Sequence, residues 1–428
     1  RDALLRDGNR LVASLYNDRI IFPDDEPCRP LENCYQQRAR SIQTLFGEVC
    51  LKRRYYYHRP SGTGRCPLDD VLGLEGAYSP AVARLMCRAA SLSPSYEQGS
   101  ADLTVYAGLS IEPRQLGRMV AAVSPGMSEA LASLAPLPTS AGSNVSVPVL
   151  YVSVDGTGTP MRREELLGRP GKQEDGSART REAKLGGVFI QTSTDDQGEP
   201  MRDPDSTSYV GTFQGCREAG VLLHQEALRR GLGLAQQVVY LGDGAAWVWE
   251  NCRLTFPGAV EILDFYHASE HVADMAKAIH DKDPDRAAAL HRRWSHDMKQ
   301  NSPATLLAEA RTLLDEHSDW PETKRAAIQS EINYLESHAT RTLYGDYRAK
   351  GYFIGSGVIE AGCKTVVGRR LKQSGMFWST TGAENILSLR CLVLGPHFDA
   401  AWQARRKLLA EQRLKARRWL PNENLKAA

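Results

Sequence analysis

The chain has 428 residues, of which 42% are hydrophobic and 24% are charged, and its formal net charge is +2. These are ordinary values for a globular protein, so they exclude wholesale disorder and collagen-like repeats. The length predicts two or three domains with a sizeable core. No run of 18 apolar residues occurs, which predicts a chain that does not span a membrane. The nine cysteines are scattered and odd in number, which favours reduced thiols and a cytoplasmic protein.

Positive charge is concentrated in two segments. Residues 36–66 hold seven Lys or Arg and one acid, and residues 361–428 hold thirteen Lys or Arg and four acids. In a chain that is nearly neutral overall, two such segments favour a polyanionic partner. The alternative is a solvated helix face followed by a flexible tail.

The N-terminal part is predicted to be mainly helical. Residues 1–48 have the polar pattern of helices, and residues 49–57 predict one short strand. Ser79-Pro80 is typical of a helix start and opens the first of three short helices over residues 76–125. Three such helices resemble a helix-turn-helix unit whose third helix reads DNA, although small helical bundles share this pattern.

The remainder predicts an α/β core interrupted by helices. Val145–Val154 is β-branched and apolar, as expected of a strand buried on both faces. The predicted order β-β-β-α-β-α-β is typical of an α/β sheet with helices on its faces. Residues 272–350 lack any strand-like run and predict a helical insertion.

The domain boundaries follow from these changes of pattern. They are 1–75 for an N-terminal helical and basic region, 76–125 for the helix-turn-helix-like unit, 126–144 for a linker, 145–271 and 351–395 for the two parts of the core, 272–350 for the insertion, and 396–428 for a basic C-terminal helix or tail.

Three acidic residues are candidates for a metal site. Asp155 and Asp243 each follow an apolar run and precede a glycine. The carboxyl ends of strands are where sites gather in α/β sheets, and a glycine there leaves room for a metal or a phosphate. Glu360, on a predicted helix after a Gly-Ser-Gly hinge, would complete the oxygen ligands of a two-metal site. The alternative is that Asp-Gly is ordinary turn chemistry.

A histidine cluster forms a second candidate. His267-x-x-Glu270-His271 matches the pattern of inverted zinc peptidases, with both histidines one turn apart on a helix. A zinc metallopeptidase is therefore an alternative function. The other interpretation is a helix start capped by Asp264 with exposed histidines.

Several sequence blocks together resemble one family. These are Asp155-Gly156-Thr157-Gly158, Leu241-Gly242-Asp243-Gly244-Ala245, Gly355-Ser356-Gly357-Val358-Ile359-Glu360, Thr180-Arg181-Glu182-Ala183-Lys184 and Lys372-Gln373-Ser374-Gly375-Met376. They resemble, in the family's order, the blocks of bacterial insertion-sequence transposases of the ISKra type, which are related to Mutator-like elements. One departure is that His58–Gly62 stands where many relatives carry a Cys-x-x-Cys-Gly zinc knuckle.

The resemblance implies an RNase H-like mixed sheet and a DDE transposase that cuts DNA at transposon ends and joins it to target DNA. Asp155, Asp243 and Glu360 would be the catalytic and metal-binding acids, with Mg²⁺ as cofactor and Mn²⁺ as its substitute. Asp264 and His267 would match the family's D/C-x-x-H signature.

The expected partner is double-stranded DNA, both terminal repeats and target, bound by a homo-oligomer in the cytoplasm at the nucleoid. We expect DNA contacts from Lys184, His267, Lys364, Arg369, Arg370 and Lys372. The alternative in a different class is a non-catalytic DNA-binding protein.

Overall fold

The computed structural model describes residues 2–135, 147–171 and 173–418, with side chains up to residue 412. The chain divides into two compact units. One comprises residues 1–134, 388–393 and 397–428, and the other comprises residues 135–387 and 394–396. No helix within the described ranges is both long and apolar enough to cross a bilayer.

The first unit opens with a helix and a small sheet, not with helices alone. After α1 (Asp2–Asn17), the strands β1 (Glu32–Thr44), β2 (Gly47–His58) and β3 (Thr63–Arg65) form an antiparallel sheet in the order β1-β2-β3. The strand predicted over 49–57 is confirmed as β2, but the helical prediction for residues 1–48 is wrong beyond α1. The polar residues of β1 pair along the aromatic β2, so tertiary pairing overrides their local helical pattern.

Four helices follow the sheet, and the last three of them are the helices predicted over residues 76–125. They are α2 (Pro67–Val71), α3 (Pro80–Leu92), α4 (Tyr96–Asp102), which continues as a π-helical turn to Ala107, and α5 (Pro113–Ser133). Helix α5 extends through Pro125 because Met127 and Ala130 on its next turns are buried. The predicted linker at 126–144 is therefore wrong up to residue 133, and its residues 136–144 lie outside the described part.

The second unit is built on a mixed five-stranded sheet, as predicted. Its strands are β4 (Val147–Pro160), β5 (Thr180–Gln191), β8 (Ser208–Thr212), β9 (Ala235–Gly242) and β10 (Val260–Leu263), with a separate pair β6 (Ser193–Thr194) and β7 (Pro200–Met201). The order is β10-β9-β4-β5-β8. Strand β4 pairs in parallel with β9 and antiparallel with β5, so the sheet changes direction at β4.

Helices cover both faces of this sheet. On one face lie α6 (Cys216–Arg229), whose Leu223 contacts Gly186 of β5, and α7 (Ala246–Thr255), which packs on α6. On the other lies α13 (Gly357–Gly362), whose Ile359 contacts the next residue, Gly187. Neighbouring residues of a strand point to opposite faces, so these two contacts fix the sides on which α6 and α13 pack.

The predicted insertion is helical throughout. It consists of α8 (Phe265–Ile279), which starts at the end of β10, α9 (Pro284–Gln300), α10 (Ala304–Glu316), α11 (Glu322–Ser337) and α12 (Tyr344–Ala349). Apolar side chains of these helices join those of the sheet in one buried core. After α13, a π-helical stretch over Cys363–Gly368 leads into α14 (Arg369–Leu371), and α15 (Thr380–Leu394) and α16 (Phe398–Arg418) follow.

Part of the concentrated positive charge is used in ion pairs within the first unit. In the first unit, Arg65 pairs with Glu26 and Glu32 at 2.6 and 2.8 Å, and Arg53 pairs with Asp69 at 2.5 Å. Arg405 of α16 is buried and pairs with Glu75 at 2.5 Å. These arginines hold the fold together, so the basic segments are a weaker sign of a polyanionic partner than their charge suggests.

Candidate active site

The pairing of β4 with β9 brings Asp155 and Asp243 to neighbouring positions. The last registered pair of these parallel strands is Ser153 with Leu241. Asp155 and Asp243 each lie two residues further on, and residues two apart in a strand share a face. The two aspartates therefore stand side by side at the point where the parallel pairing ends. Strand β4 itself does not end at Asp155 as predicted, because its ladder with β5 continues to Pro160.

Helix α13 places Glu360 over the same face of the sheet. Asp155 pairs with Leu185 of β5, so the two side chains share a face of the sheet. Helix α13 packs on Leu185, since a Cβ added to Gly362 of this helix would lie 3.1 Å from Leu185 Cδ2. Glu360 is on the exposed side of this helix, and its Oε1 accepts a 3.4 Å hydrogen bond from Ser356 Oγ. The three acids that the sequence singles out are thus brought to one edge of one face.

The Asp155 carboxyl lies within reach of the charges of the other two acids. Burial raises the pKa of the Asp155 carboxyl, and the negative charges of Asp243 and Glu360 raise it further. A hydrogen bond with the buried Cys363 thiol acts in the opposite direction. Burial and the neighbouring Asp155 in turn raise the pKa of that thiol. A cation placed here would relieve the mutual repulsion.

The donor atoms suit Mg²⁺ in kind, because carboxylate oxygens are the hard ligands it prefers. Their arrangement is not a closed cage. Within the described residues, no group of three or more His, Cys, Asp or Glu side chains is placed so that it could hold a metal ion. Asp155 and Asp243 offer a pair of neighbouring carboxylates, and the Glu360 side chain, pointing to solvent, is the third donor within their electrostatic reach.

The two glycines that follow the aspartates do not leave the room that the sequence predicted. A side chain on Gly156 would collide with the carboxylate of Glu182 on β5. Gly244 has a φ of +91°, and a side chain there would collide with the hydroxyl of Tyr334. Gly244 therefore serves close packing within the protein, whereas the atom beside Gly156 is the flexible end of the half-exposed Glu182 side chain.

Tyr334, on α11 of the insertion, supports the loop that carries Asp243. Its hydroxyl donates a 3.3 Å hydrogen bond to the Asp243 carbonyl oxygen. Its ring stacks on His271 with centroids 3.6 Å apart, and His271 Nδ1 lies 2.6 Å from Glu331 Oε2. The insertion thus holds the second aspartate in place through a side chain 91 residues away.

Asp264 ties the start of α8 to the segment before α13. Its side chain is only 2% exposed, and its Oδ1 accepts a 2.7 Å hydrogen bond from the His267 backbone N–H. Its Oδ2 accepts a hydrogen bond from the Ser356 N–H, and the Phe265 N–H donates to the Ile354 carbonyl at 2.9 Å. The Asp264–His267 pair is therefore a helix cap that also fixes the hinge in front of Glu360.

The histidine cluster does not have the form of a zinc site. His271 is engaged with Glu331, and the Glu270 side chain is 79% exposed. Nearby, burial and the positive charge of Arg341 lower the pKa of His338 to about 4. His338 Nδ1 lies 3.1 Å from the Arg341 guanidinium, which can only donate, so this imidazole is neutral.

The residues predicted to contact DNA have different environments. Lys364, Arg369 and Lys372 are exposed, and the Lys372 ammonium donates to the Thr157 hydroxyl, two residues beyond Asp155. Arg370 is only 1% exposed and lies over the ring of Trp378. The expectation that Arg370 contacts phosphates is therefore wrong for this conformation, because its guanidinium stabilises the interior.

Lys184 and His267 complete the predicted set. Lys184 is 8% exposed and pairs with Glu182 at 2.8 Å. His267 is partly exposed beside Glu270.

Sequence reasoning missed Tyr334, Ser356 and Cys363 as parts of the site. The sequence gives one sign of Tyr334's neighbours, the i, i+3, i+7 spacing of Glu331, Tyr334 and His338, which places these three residues on one helix face. No spacing rule links Tyr334 to Asp243.

Comparison with known proteins gives two findings. The model of an uncharacterised protein family, UPF0236, matches residues 31–166, a stretch that includes Asp155 but neither Asp243 nor Glu360. Five chains of solved structure match, among them one from the Drosophila P element transposase strand transfer complex. That match has a TM-score of 0.34 at 9% identity and covers 76% of this chain and 94% of the other. No curated protein matches.

Proposed function

We propose that the protein is a DDE transposase with an RNase H-like core, which cuts and joins DNA with Asp155, Asp243 and Glu360. The observation that carries the proposal is that Asp155 and Asp243, far apart in the chain, stand side by side at one edge of a mixed sheet, with the charge of Glu360 within reach of Asp155. The strand order, with three antiparallel strands followed by two parallel ones, supports the RNase H-like assignment. The sequence blocks that resemble insertion-sequence transposases support the same reaction.

Asp155 and Asp243 would hold Mg²⁺, and the exposed Glu360 side chain would turn toward them when the cation is bound. Bound there, the cation would supply charge neutralisation at a phosphodiester and a water of lowered pKa. The chain's own contribution is positioning. The β4–β9 register aligns the two aspartates, Tyr334 holds the loop of the second, and Asp264 fixes the hinge that precedes Glu360.

The metallopeptidase alternative has no support from the histidine environment, since His271 is paired with Glu331 and Glu270 points to solvent. The non-catalytic DNA-binding alternative is separated from the proposal by experiment.

The experiment uses a supercoiled plasmid that carries the gene with its flanking genomic DNA. We expect the wild-type chain to nick or linearise it with Mg²⁺ or Mn²⁺ and not with EDTA. Asp243→Ala should bind the plasmid in a gel shift yet cut nothing, because contacts to phosphates elsewhere hold the DNA. Asp274→Ala, an exposed aspartate of α8, is the control and should cut normally. Cutting by Asp243→Ala, or binding without cutting by the wild type, contradicts the proposal.

A further inference from the structure

Strands β4 and β5 continue beyond the sheet as a two-stranded ribbon of four residue pairs, from Thr157 with Ala183 to Pro160 with Thr180, because β8 pairs with β5 only up to Lys184. The parallel partner β9 leaves β4 at Ser153, whereas the β4–β5 ladder runs on to the pair Pro160 and Thr180. At about 3.3 Å per residue, Pro160 lies about 17 Å beyond Asp155. The backbone of Trp378 is hydrogen-bonded to the end of the ribbon. Its backbone N–H donates to the Pro160 carbonyl at 3.3 Å, and its carbonyl accepts from the Arg162 backbone N–H at 2.8 Å.

Five arginines cluster at this end of the ribbon. They line two adjoining concave surfaces with volumes of about 1480 and 1310 Å³, and Arg169 and Arg179 contribute to both. The other three are Arg162, Arg163 and Arg181. Phe377, which is 62% exposed, forms part of the wall of the larger surface.

Three of the nearby acids are occupied by other groups, whereas Glu164 and Glu174 are exposed in the lining. Glu165 accepts a 2.6 Å hydrogen bond from the Thr380 hydroxyl, Asp175 caps the turn at Ser177, and Glu182 pairs with Lys184. None of the five arginines forms an ion pair with a carboxylate in the ranges 2–135, 147–171 and 173–412. Burial and the nearby charge of Arg169 lower the pKa of Arg181, and the charges of Glu165 and Glu384 oppose that shift. An anion bound beside Arg169 and Arg181 would offset the repulsion between these two guanidinium groups.

We propose that the arginine-lined end of the β4–β5 ribbon binds the phosphodiester backbone of double-stranded DNA that runs outward from Asp155 and Asp243. The choice of DNA as the polyanion rests on the proposed function. Guanidinium groups match phosphate oxygens with two parallel hydrogen bonds. The 17 Å from Asp155 to Pro160 corresponds to about five base pairs of duplex at 3.4 Å each.

The test measures the salt dependence of binding to a labelled duplex of mixed sequence by fluorescence anisotropy. EDTA is present, so no cutting intervenes. The variant is Arg169→Ala/Arg179→Ala, both exposed. The control is Arg217→Ala/Arg253→Ala, also exposed, on α6 and α7 across the sheet from α13. Each phosphate contact contributes about 0.9 to the slope of log K against log salt. We expect the ribbon variant to lower that slope by about 2 and the control to leave it unchanged.

Replacing the same two residues by lysine, Arg169→Lys/Arg179→Lys, tests the geometry as well as the charge. We expect the slope to return while the affinity at one salt concentration stays below that of the wild type. An unchanged slope in the alanine variant overturns the proposal, as does an equal loss in the control pair. If the wild type binds but never cuts the plasmid, only the catalytic proposal fails. A wild type that binds no duplex overturns both.

Discussion

The buried carboxylate of Asp264 provides a direct test of how the site is held together. It accepts two backbone hydrogen bonds, from His267 and from Ser356, and has almost no access to water. In Asp264→Asn the amide oxygen can still cap His267, but the NH₂ group must then face the Ser356 N–H. The variant loses one hydrogen bond to a charged acceptor, worth about 1.5–3 kcal/mol, and leaves a buried donor unpaired. We expect a net destabilisation of about 2–4 kcal/mol.

Urea unfolding measures this loss, and hydrogen exchange at the Ser356 amide localises it. The matched control is Asp283→Asn, which caps α9 through a single 3.0 Å bond from the Arg286 N–H and has no second backbone partner among the described residues. Since Asn is as good a cap as Asp, the control should change stability by less than about 0.5 kcal/mol. If Asp264→Asn unfolds at the wild-type urea concentration and Ser356 exchanges no faster, the bridge from α8 to the hinge does not exist.

Two further predictions concern charge. Because the carboxyl pKa of Asp155 is raised in the folded chain, its ionised form destabilises the fold at neutral pH, and stability is gained as the pH falls. In EDTA, Asp155→Asn should therefore unfold at a urea concentration equal to or above that of the wild type. Added MgCl₂ should stabilise only the wild type. Equal stabilisation of both proteins by MgCl₂ would contradict a cation at Asp155. The His338 pKa of about 4, against 6.5 for the unfolded chain, means that the unfolded state binds the extra proton. Stability should fall by about 3 kcal/mol as the pH drops from 6.5 to 4, and urea midpoints of His338→Gln should lack this part of the pH dependence.

The central strand of the second unit's sheet was predictable because it is buried on both faces. Its residues up to Val154 form a nearly continuous apolar run. The sheet of the first unit was not predictable in the same way. Much of β1 is exposed, and its residues do not alternate between apolar and polar until Ile42. Without that alternation its polar residues predicted a helix instead of a strand.

The positions of Asp155 and Asp243 were predictable because apolar strands precede them. The residues that hold them in place were not predictable. Asp155 and Asp243 follow apolar runs that set their strands, and the sheet then sets their positions. What holds them depends on pairs such as Tyr334 with Asp243 and Asp264 with Ser356, which are 91 and 92 residues apart. Only the folded chain brings these residues together.

The glycine after each aspartate shows why the chemistry of a motif and its packing must be separated. Asp-Gly suggested open space for a ligand, yet both glycines are filled from within the protein, Gly156 by Glu182 and Gly244 by Tyr334. At Gly244 the missing side chain lets Tyr334 of α11 approach the loop that carries Asp243. The open side of the site is then the face shared with α13. The ammonium of Lys372 reaches the Thr157 hydroxyl there, two residues beyond Asp155.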